Sequence, residues 1–224
     1  MEQHMNGLVL VIGNYNYSSW SLRPWLVMEQ AGIPFSEIRI PLYAPGASQR
    51  LPEHSPSGKV PVLKHGALAV WDSLAICEYL AERFPEKGLW PRDLPARAQA
   101  RSISAEMHSG FTALRQNMFM NIRRHMPGRG RTPEVEAEIE RILSIWRGCR
   151  ARYAAAGPFL FGSFSIADAM YAPVALRFQT YAVTADGSAG EYAAHLLSLP
   201  AMKKWIAAAQ AETERIDRYE PLDN

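Results

Sequence analysis

Cysteine is scarce in this chain, which has only Cys77 and Cys149 among its 224 residues. The two lie 72 positions apart, so they form neither a C-x-x-C redox motif nor a cysteine-based zinc site. Both fall in apolar helical patterns. We therefore expect two reduced thiols in the core of a cytoplasmic protein that carries no metal.

Long apolar runs and an excess of charge are also missing. The longest aliphatic run, Leu8 to Ile12, is far too short to span a bilayer, and no secretory signal pattern is present. The chain has 24 Lys and Arg against 22 Asp and Glu, a net charge of +2, so we expect no nucleic-acid or membrane partner. With 48% hydrophobic residues, the composition is that of a globular protein.

The first 85 residues mix strand and helix patterns in the order strand, helix, strand, loop, strand, strand, helix. The first crossover is long enough for a parallel βαβ unit, whereas the last two strands are joined so tightly that they must be antiparallel. The predicted elements are 8–12, 20–31, 35–40, 60–63, 67–71 and 73–84, with a loop and one helical turn at 41–58.

Beyond residue 85 the sequence predicts helices alone. A polar linker at 86–94 separates an α/β domain at 6–85 from an all-helical domain at 95–224. The predicted helices begin near 95, 132, 165 and 201, and the first of them runs to about 125. The predicted fold class is therefore α/β plus all-α, with two domains that share an interface.

Several motifs carry a resemblance to a known family. The segment 57–63, followed by 71–80, resembles the glutathione-binding core of the glutathione S-transferases. The segment 18–23, Ser-Ser-Trp-Ser-Leu-Arg, resembles the start of the first helix in the zeta class, and Ser165–Asp168 resembles the helix cap of the second domain. The resemblance covers nearly the whole chain in order. It implies a thioredoxin-like first domain and glutathione as co-substrate.

The resemblance implies that residues around Pro61 bind the tripeptide. In the family this proline follows a cis bond, which leaves the backbone of Val60 free to pair with glutathione as an added strand. Without the family context, a trans proline at a strand start is the ordinary interpretation. Lys59 is implied to meet the glycyl carboxylate, with His54 as an alternative.

Asp72 and Ser73 begin a predicted helix. They are either a simple cap or, as the resemblance implies, the γ-glutamyl site. Free backbone N–H groups, the Ser73 hydroxyl and the helix dipole are suited to a carboxylate. The Asp72 carboxylate can reach the γ-glutamyl ammonium.

Ser18 and Ser19 precede the first helix, where either can be a cap. The resemblance implies that one of them donates to the glutathione sulfur and stabilises its thiolate. Ser18 matches the first serine of the zeta motif and Ser19 matches the serine of theta- and delta-like motifs, so both stay candidates. Trp20 replaces the zeta cysteine and is either a glutathione contact or a core residue. Tyr15 is a rival activator.

The implied function is a glutathione transferase whose thiolate attacks a small apolar electrophile held by the helical domain. The alternatives are a glutathione-dependent isomerase of maleylacetoacetate-type acids and a non-catalytic glutathione-binding protein. Trp20, and the lack of a basic cluster beyond Arg115, count against the isomerase. The resemblance also implies a homodimer. The candidates for the electrophile pocket are Met107, Phe111, Met118 and Phe119, with Arg115 and His108 as candidates for binding an acidic substrate.

Overall fold

A four-stranded sheet forms the first half of the structure, a computed structural model that describes residues 7–220. The predicted outer domain limits, Asn6 and Asn224, lie outside the described residues. The sheet order is β2-β1-β3-β4, with β1 and β2 parallel and β3 antiparallel to both neighbours. The strands are β1 Leu8–Ile12, β2 Phe35–Arg39, β3 Val62–His65 and β4 Leu68–Trp71.

Helices complete this half and build the second. The first three are α1 Ser19–Ala31, α2 Ala47–His54 and α3 Ser73–Arg83. The helices beyond residue 85 are α4 Leu94–Ser109, α5 Thr112–Asn117, α6 Pro133–Tyr153, α7 Ile166–Tyr181, α8 Gly187–Ser198 and α9 Pro200–Ala211. The predicted fold class, a thioredoxin-like α/β half followed by a helical half, is confirmed.

One apolar core continues from the sheet into the helical half. Helix α7 is buried along almost its whole length and packs on α1 and on α4. Trp25 of α1 meets Trp205 of α9 edge to face, with ring centroids 5.0 Å apart. Because α1 contacts α7 and α9, the helix that follows Ser18 is packed against the helical half.

The predicted helix at 95–125 is wrong in its length, since the chain breaks between α4 and α5. Gly110 is extended, and a Cβ there would lie 2.9 Å from the carbonyl oxygen of Glu106. Phe111 follows with φ 56°, a left-handed conformation outside the helical region. The side chain of Arg115 then donates to Gly110 O at 2.9 Å, which satisfies a carbonyl that the broken helix leaves free.

Two other boundaries also differ from the prediction. The segment 41–58 contains the eight-residue helix α2 rather than one turn. The last predicted helix, 201–218, instead ends at Ala211, because the backbone of Glu212 is extended, with φ −66° and ψ 136°. The Glu212 carboxylate accepts the backbone N–H groups of Tyr15 and Asn16, at 2.8 and 2.9 Å. Within residues 7–220, no helix is long and apolar enough to cross a membrane.

Candidate functional site

A cavity of about 780 Å³ lies where the first turn of α1, the α2 region and the helical half meet. Five residues of the predicted glutathione site line it together: Ser18, Ser19, Trp20, Lys59 and Val60. Pro61, Asp72 and Ser73 do not line it. The remaining lining residues are Tyr17, Leu42, Tyr43, Ala44, Ala47, Leu51, Gly58, Arg115, Phe119, Met120, Arg177, Arg218 and Tyr219.

The two serines differ in what they bind. Ser18 is the N-cap of α1, and its Oγ accepts the N–H of Ser21 at 3.4 Å and donates to Ser21 Oγ at 2.8 Å. Ser21 Oγ also accepts the N–H of Gly13 at 3.1 Å, so this cluster joins the end of β1 to the helix start. Ser19 lies in the first turn, and its hydroxyl has no hydrogen-bond partner among residues 7–220.

The nearby tyrosines are already engaged. Tyr15, the rival activator, does not line the cavity, and its hydroxyl donates to Glu37. Burial and Glu37 raise the pKa of Tyr15. Tyr17 lines the cavity, but its hydroxyl bonds Glu220, and burial raises its pKa as well. A tyrosine that activates a thiol must donate to the sulfur, so these contacts favour the serines.

Lys59 and Val60, which precede Pro61 and β3, bring a stretch of unpaired backbone to the cavity. The bond between Val60 and Pro61 is cis, as the resemblance implies. Ser55 Oγ donates to the carbonyl of Lys59 at 2.7 Å and accepts its N–H at 3.1 Å, which fixes the loop. In the part of the chain that the structure describes, the backbone N–H and C=O of Val60 form no hydrogen bond. They are therefore available to an extended ligand.

Asp72 and Ser73 stand beside the cavity, at the start of α3. Asp72 has φ 75°, and its Oδ1 accepts the N–H groups of Leu74 and Ala75 at 2.8 and 3.3 Å. Its Oδ2 lies 3.1 Å from Nε2 of His108. The buried Ser73 accepts a hydrogen bond from Arg23 at 3.4 Å. Asp72 is therefore the N-cap of α3, and its second carboxylate oxygen faces the helical half.

Trp20 forms part of the cavity lining and is not a core residue. The guanidinium carbons of Arg23 and Arg115 lie 4.3 and 4.7 Å from its ring centroid. His108 meets the ring edge at a centroid distance of 5.3 Å. Burial, followed by the charges of Arg115 and Arg177, holds the pKa of Arg23 well below its usual range.

The cavity wall of the helical half is more basic than the sequence predicted. Of the four predicted pocket residues only Phe119 lines it, because Met107, Phe111 and Met118 are core residues with 0–6% exposure. Arg177, buried in α7, faces the cavity, and burial and Arg115 lower its pKa to about 10. Lys59, Arg115, Arg177 and Arg218 give the lining four cations, and among the described residues it contains no Asp or Glu.

Comparison with known proteins places this site in a family. The family model for the glutathione S-transferase N-terminal domain matches residues 17–83, and that for the C-terminal domain matches residues 129–208. The chain therefore belongs to the glutathione S-transferase superfamily. The two matches include the serines, Lys59, Val60 and the start of α3 in the first domain, and Arg177 in the second.

The chain spans about half of the length, or less, of the two curated relatives described next. A probable maleylacetoacetate isomerase from Caenorhabditis elegans is 34% identical over 104 residues, which is 46% of this chain and 49% of that protein. Glutathione S-transferase 1 from Dianthus caryophyllus is 38% identical over 88 residues, 38% of this chain and 39% of that protein. Matches of this length support membership of the family, but they do not show that this chain has the activity of a whole relative.

Solved structures share the fold along nearly the whole chain. A glutathione transferase homologue from Burkholderia, with bound glutathione, has a TM-score of 0.70 at 21% identity and covers 91% of this chain and 98% of its own. The Tau class glutathione S-transferase from mango, Mangifera indica, has a TM-score of 0.69 at 18% identity and covers 91% and 96%. At these identities the likeness describes the fold alone.

Proposed function

We propose that the protein is a glutathione transferase that binds glutathione between Val60 and the start of α3 and ionises its thiol at the start of α1. The observation that carries this proposal is the meeting of the serine pair with Lys59 and the free backbone of Val60 at one cavity. The tripeptide backbone pairs with Val60, its glycyl carboxylate meets Lys59, and its γ-glutamyl group lies at Asp72 and Ser73.

The activation step needs little energy. A free thiol has a pKa of about 8.5, so only about 3% is ionised at pH 7. Lowering that pKa by about two units takes about 2.7 kcal/mol. One hydrogen bond from a serine to the thiolate contributes about 1.5–3 kcal/mol, and the N-terminus of α1 adds a dipole contribution. The serine keeps its own proton, and the thiolate forms the new C–S bond with the electrophile.

The binding experiment is a thermal unfolding series with glutathione. At about 100 times its dissociation constant, a ligand that binds only the folded protein adds about 2.7 kcal/mol of stability. We expect a rise in the unfolding temperature with glutathione and with S-methylglutathione, and none with cysteinylglycine, which lacks the γ-glutamyl group. An unchanged unfolding temperature with saturating glutathione would falsify the proposal. Binding without turnover of any electrophile would instead favour the non-catalytic alternative.

The four cations of the lining favour a second candidate, a glutathione-dependent isomerase of an unsaturated acid. A relative from rat is named maleylacetoacetate isomerase, and one from Caenorhabditis elegans is named probable maleylacetoacetate isomerase. In such a reaction the thiolate adds to one alkene carbon, the remaining single bond rotates, and the thiolate leaves again. Arg115 and Arg177 are suited to hold the carboxylates during that rotation. Phe119, Met120 and Tyr219 also suit the apolar body of an electrophile for the transfer reaction.

Stoichiometry separates the two functions. A transferase consumes one glutathione for each electrophile, whereas an isomerase returns it. We would follow free thiol and substrate together, with 1-chloro-2,4-dinitrobenzene as the neutral electrophile and maleylacetoacetate as the acid. Loss of thiol in step with the first substrate supports transfer. Turnover of the second without loss of thiol supports isomerisation.

A further inference from the structure

Asp72 forms a contact between the sheet half and the helical half of the protein. This residue ends the turn before α3, and its Oδ2 lies 3.1 Å from Nε2 of His108, in the last turn of α4. Oδ1 is used by the N–H groups of Leu74 and Ala75. A carboxylate offers about four lone-pair positions, so a ligand cation can still bind an oxygen whose side chain is 42% exposed.

The surroundings of His108 fix its protonation state. Its Nδ1 is buried and has no hydrogen-bond partner among residues 7–220. A doubly protonated imidazole would bury an unpaired N–H there, which is unfavourable. The charged groups facing the ring are Asp72 before α3, Arg23 from α1 and Arg115 from α5. Burial, Arg23 and Arg115 lower the pKa of His108, and Asp72 opposes them. The ring is therefore neutral at pH 7, with its proton on Nε2.

We propose that His108 is a positioning residue for the γ-glutamyl site: its Nε2–H orients the Asp72 carboxylate, and its protonation weakens the binding of the ligand ammonium. This inference rests on the proposed binding of glutathione. It adds a residue of the helical half to a site built otherwise by the sheet half, and it makes glutathione affinity depend on pH.

The sign of the pH effect follows from the charges. With neutral His108, Asp72 presents a full negative charge to the ligand ammonium. As the pH falls below the ordinary histidine range, His108 gains a proton and pairs with that charge. The ammonium then loses its partner, and we expect binding to weaken by about three- to tenfold, the value of one hydrogen bond to a partly exposed charged group.

The test is the dissociation constant of S-methylglutathione at pH 7 and pH 5, measured by calorimetry. The methyl group removes the titration of the thiol. Wild type should bind more weakly at pH 5. H108Q places an N–H at the position of Nε2 and does not titrate, so it should match wild type at pH 7 and lose the change at pH 5. H108A should bind about three- to tenfold more weakly already at pH 7.

Two controls isolate the ammonium and the residue. The analogue of S-methylglutathione that lacks the α-amino group should bind wild type and H108Q equally at both pH values. His195→Gln alters a histidine on α8 that packs against Phe159, and it should keep the wild-type profile. If S-methylglutathione does not bind wild type, the proposed function and this inference both fail. If it binds with the same pH change in wild type and H108Q, only the role of His108 is overturned.

Discussion

At the scale of single residues, Ser18 and Ser19 can be separated by stability and by chemistry. Ser18 caps α1, so Ser18→Ala should cost about 1 kcal/mol of unfolding free energy, whereas Ser19→Ala should cost little. Loss of the hydroxyl that donates to the thiolate should raise the apparent pKa of the bound thiol by about one to two units. The rate at pH 7 should then fall about 10- to 100-fold and recover at higher pH.

A pH–rate profile for each variant, with 1-chloro-2,4-dinitrobenzene and saturating glutathione, measures this effect. Tyr15→Phe is the matched control, because that hydroxyl donates to Glu37 outside the cavity. Wild-type profiles for both serine variants, together with a shifted profile for Tyr15→Phe, would show that the tyrosine activates the thiol.

Ser73 gives a second prediction at this scale. Its hydroxyl lies at the start of α3, outside the lining that contains the serine pair. Ser73→Ala should therefore raise the Michaelis constant for glutathione while changing kcat little, because it removes binding to a group remote from the sulfur. The measurement is steady-state kinetics at varied glutathione. A lowered kcat at an unchanged Michaelis constant would contradict this assignment.

At the scale of elements, the start of α7 depends on one buried carboxylate. Asp168 accepts the N–H groups of Leu160 and Ser165 at 3.0 and 2.8 Å. Burial raises its pKa from 3.8 to about 6. Because the folded-state pKa is the higher one, the contribution of this group to stability is greatest below pH 4 and falls as the pH rises through about 6.

Asp168→Asn tests this dependence, since the amide cannot ionise. The variant should be less stable than wild type at every pH, because it loses acceptors for buried N–H groups. The difference in unfolding free energy between wild type and Asp168→Asn should narrow by about 2–3 kcal/mol between pH 4 and pH 7. Urea unfolding at both pH values measures it, with the exposed Asp186→Asn at the start of α8 as the control. A difference that widens with pH would disprove the raised pKa.

The helices and strands also show why some features of the structure could be predicted from the sequence and others could not. Strand β1 and the start of α1 follow from local signals, a short β-branched run and serines before an apolar helix, so the place of Ser18 and Ser19 at the helix start could be predicted. Arg177 was missed because an arginine buried in an apolar helix looks like any helical residue until α7 packs beside the cavity. The break at Gly110 was missed because it depends on φ at Phe111, which no spacing of apolar residues reveals.

At the scale of the whole molecule, a C-terminal strap of residues 212–220 ties the two halves together. Glu212 accepts the N–H groups of Tyr15 and Asn16 in the loop before α1 and pairs with Arg39 of β2 at 3.1 Å. Arg123, from the helical half, donates to the carbonyl of Glu214 at 2.7 Å. The strap therefore holds in place the loop that leads to the serine pair.

Glu212→Ala should lower the unfolding free energy by about 2–3 kcal/mol, since it leaves the backbone N–H groups of Tyr15 and Asn16 without an acceptor and removes one of the two carboxylates that pair with Arg39. It should also lower kcat, because the loop before α1 loses its anchor. Glu191→Ala, exposed on α8, is the control. Thermal unfolding and kinetics on both variants measure the effects, and wild-type stability of Glu212→Ala would refute the anchoring role.

The final prediction concerns assembly, because the edge strand β4 and the start of α4 carry apolar side chains that one chain leaves exposed. Leu68 and Trp71 of the edge strand β4 are each 48% exposed, and Leu94 at the start of α4 is 68% exposed. Exposed aromatic and aliphatic groups at a sheet edge are typical of an interface. The family resemblance implies that the α/β half of one chain pairs with the first long helices of another, which brings β4 against α4.

We therefore expect light scattering at micromolar concentration to give twice the chain mass of 25.1 kDa. Trp71→Glu should shift the protein toward the single-chain mass, because a charge buried at the interface has no partner there. Tyr43→Glu is the matched control: it alters another exposed aromatic, but at the mouth of the cavity. A wild-type mass of one chain would exclude the homodimer, and a dimer unaffected by Trp71→Glu would place its interface elsewhere on the molecule.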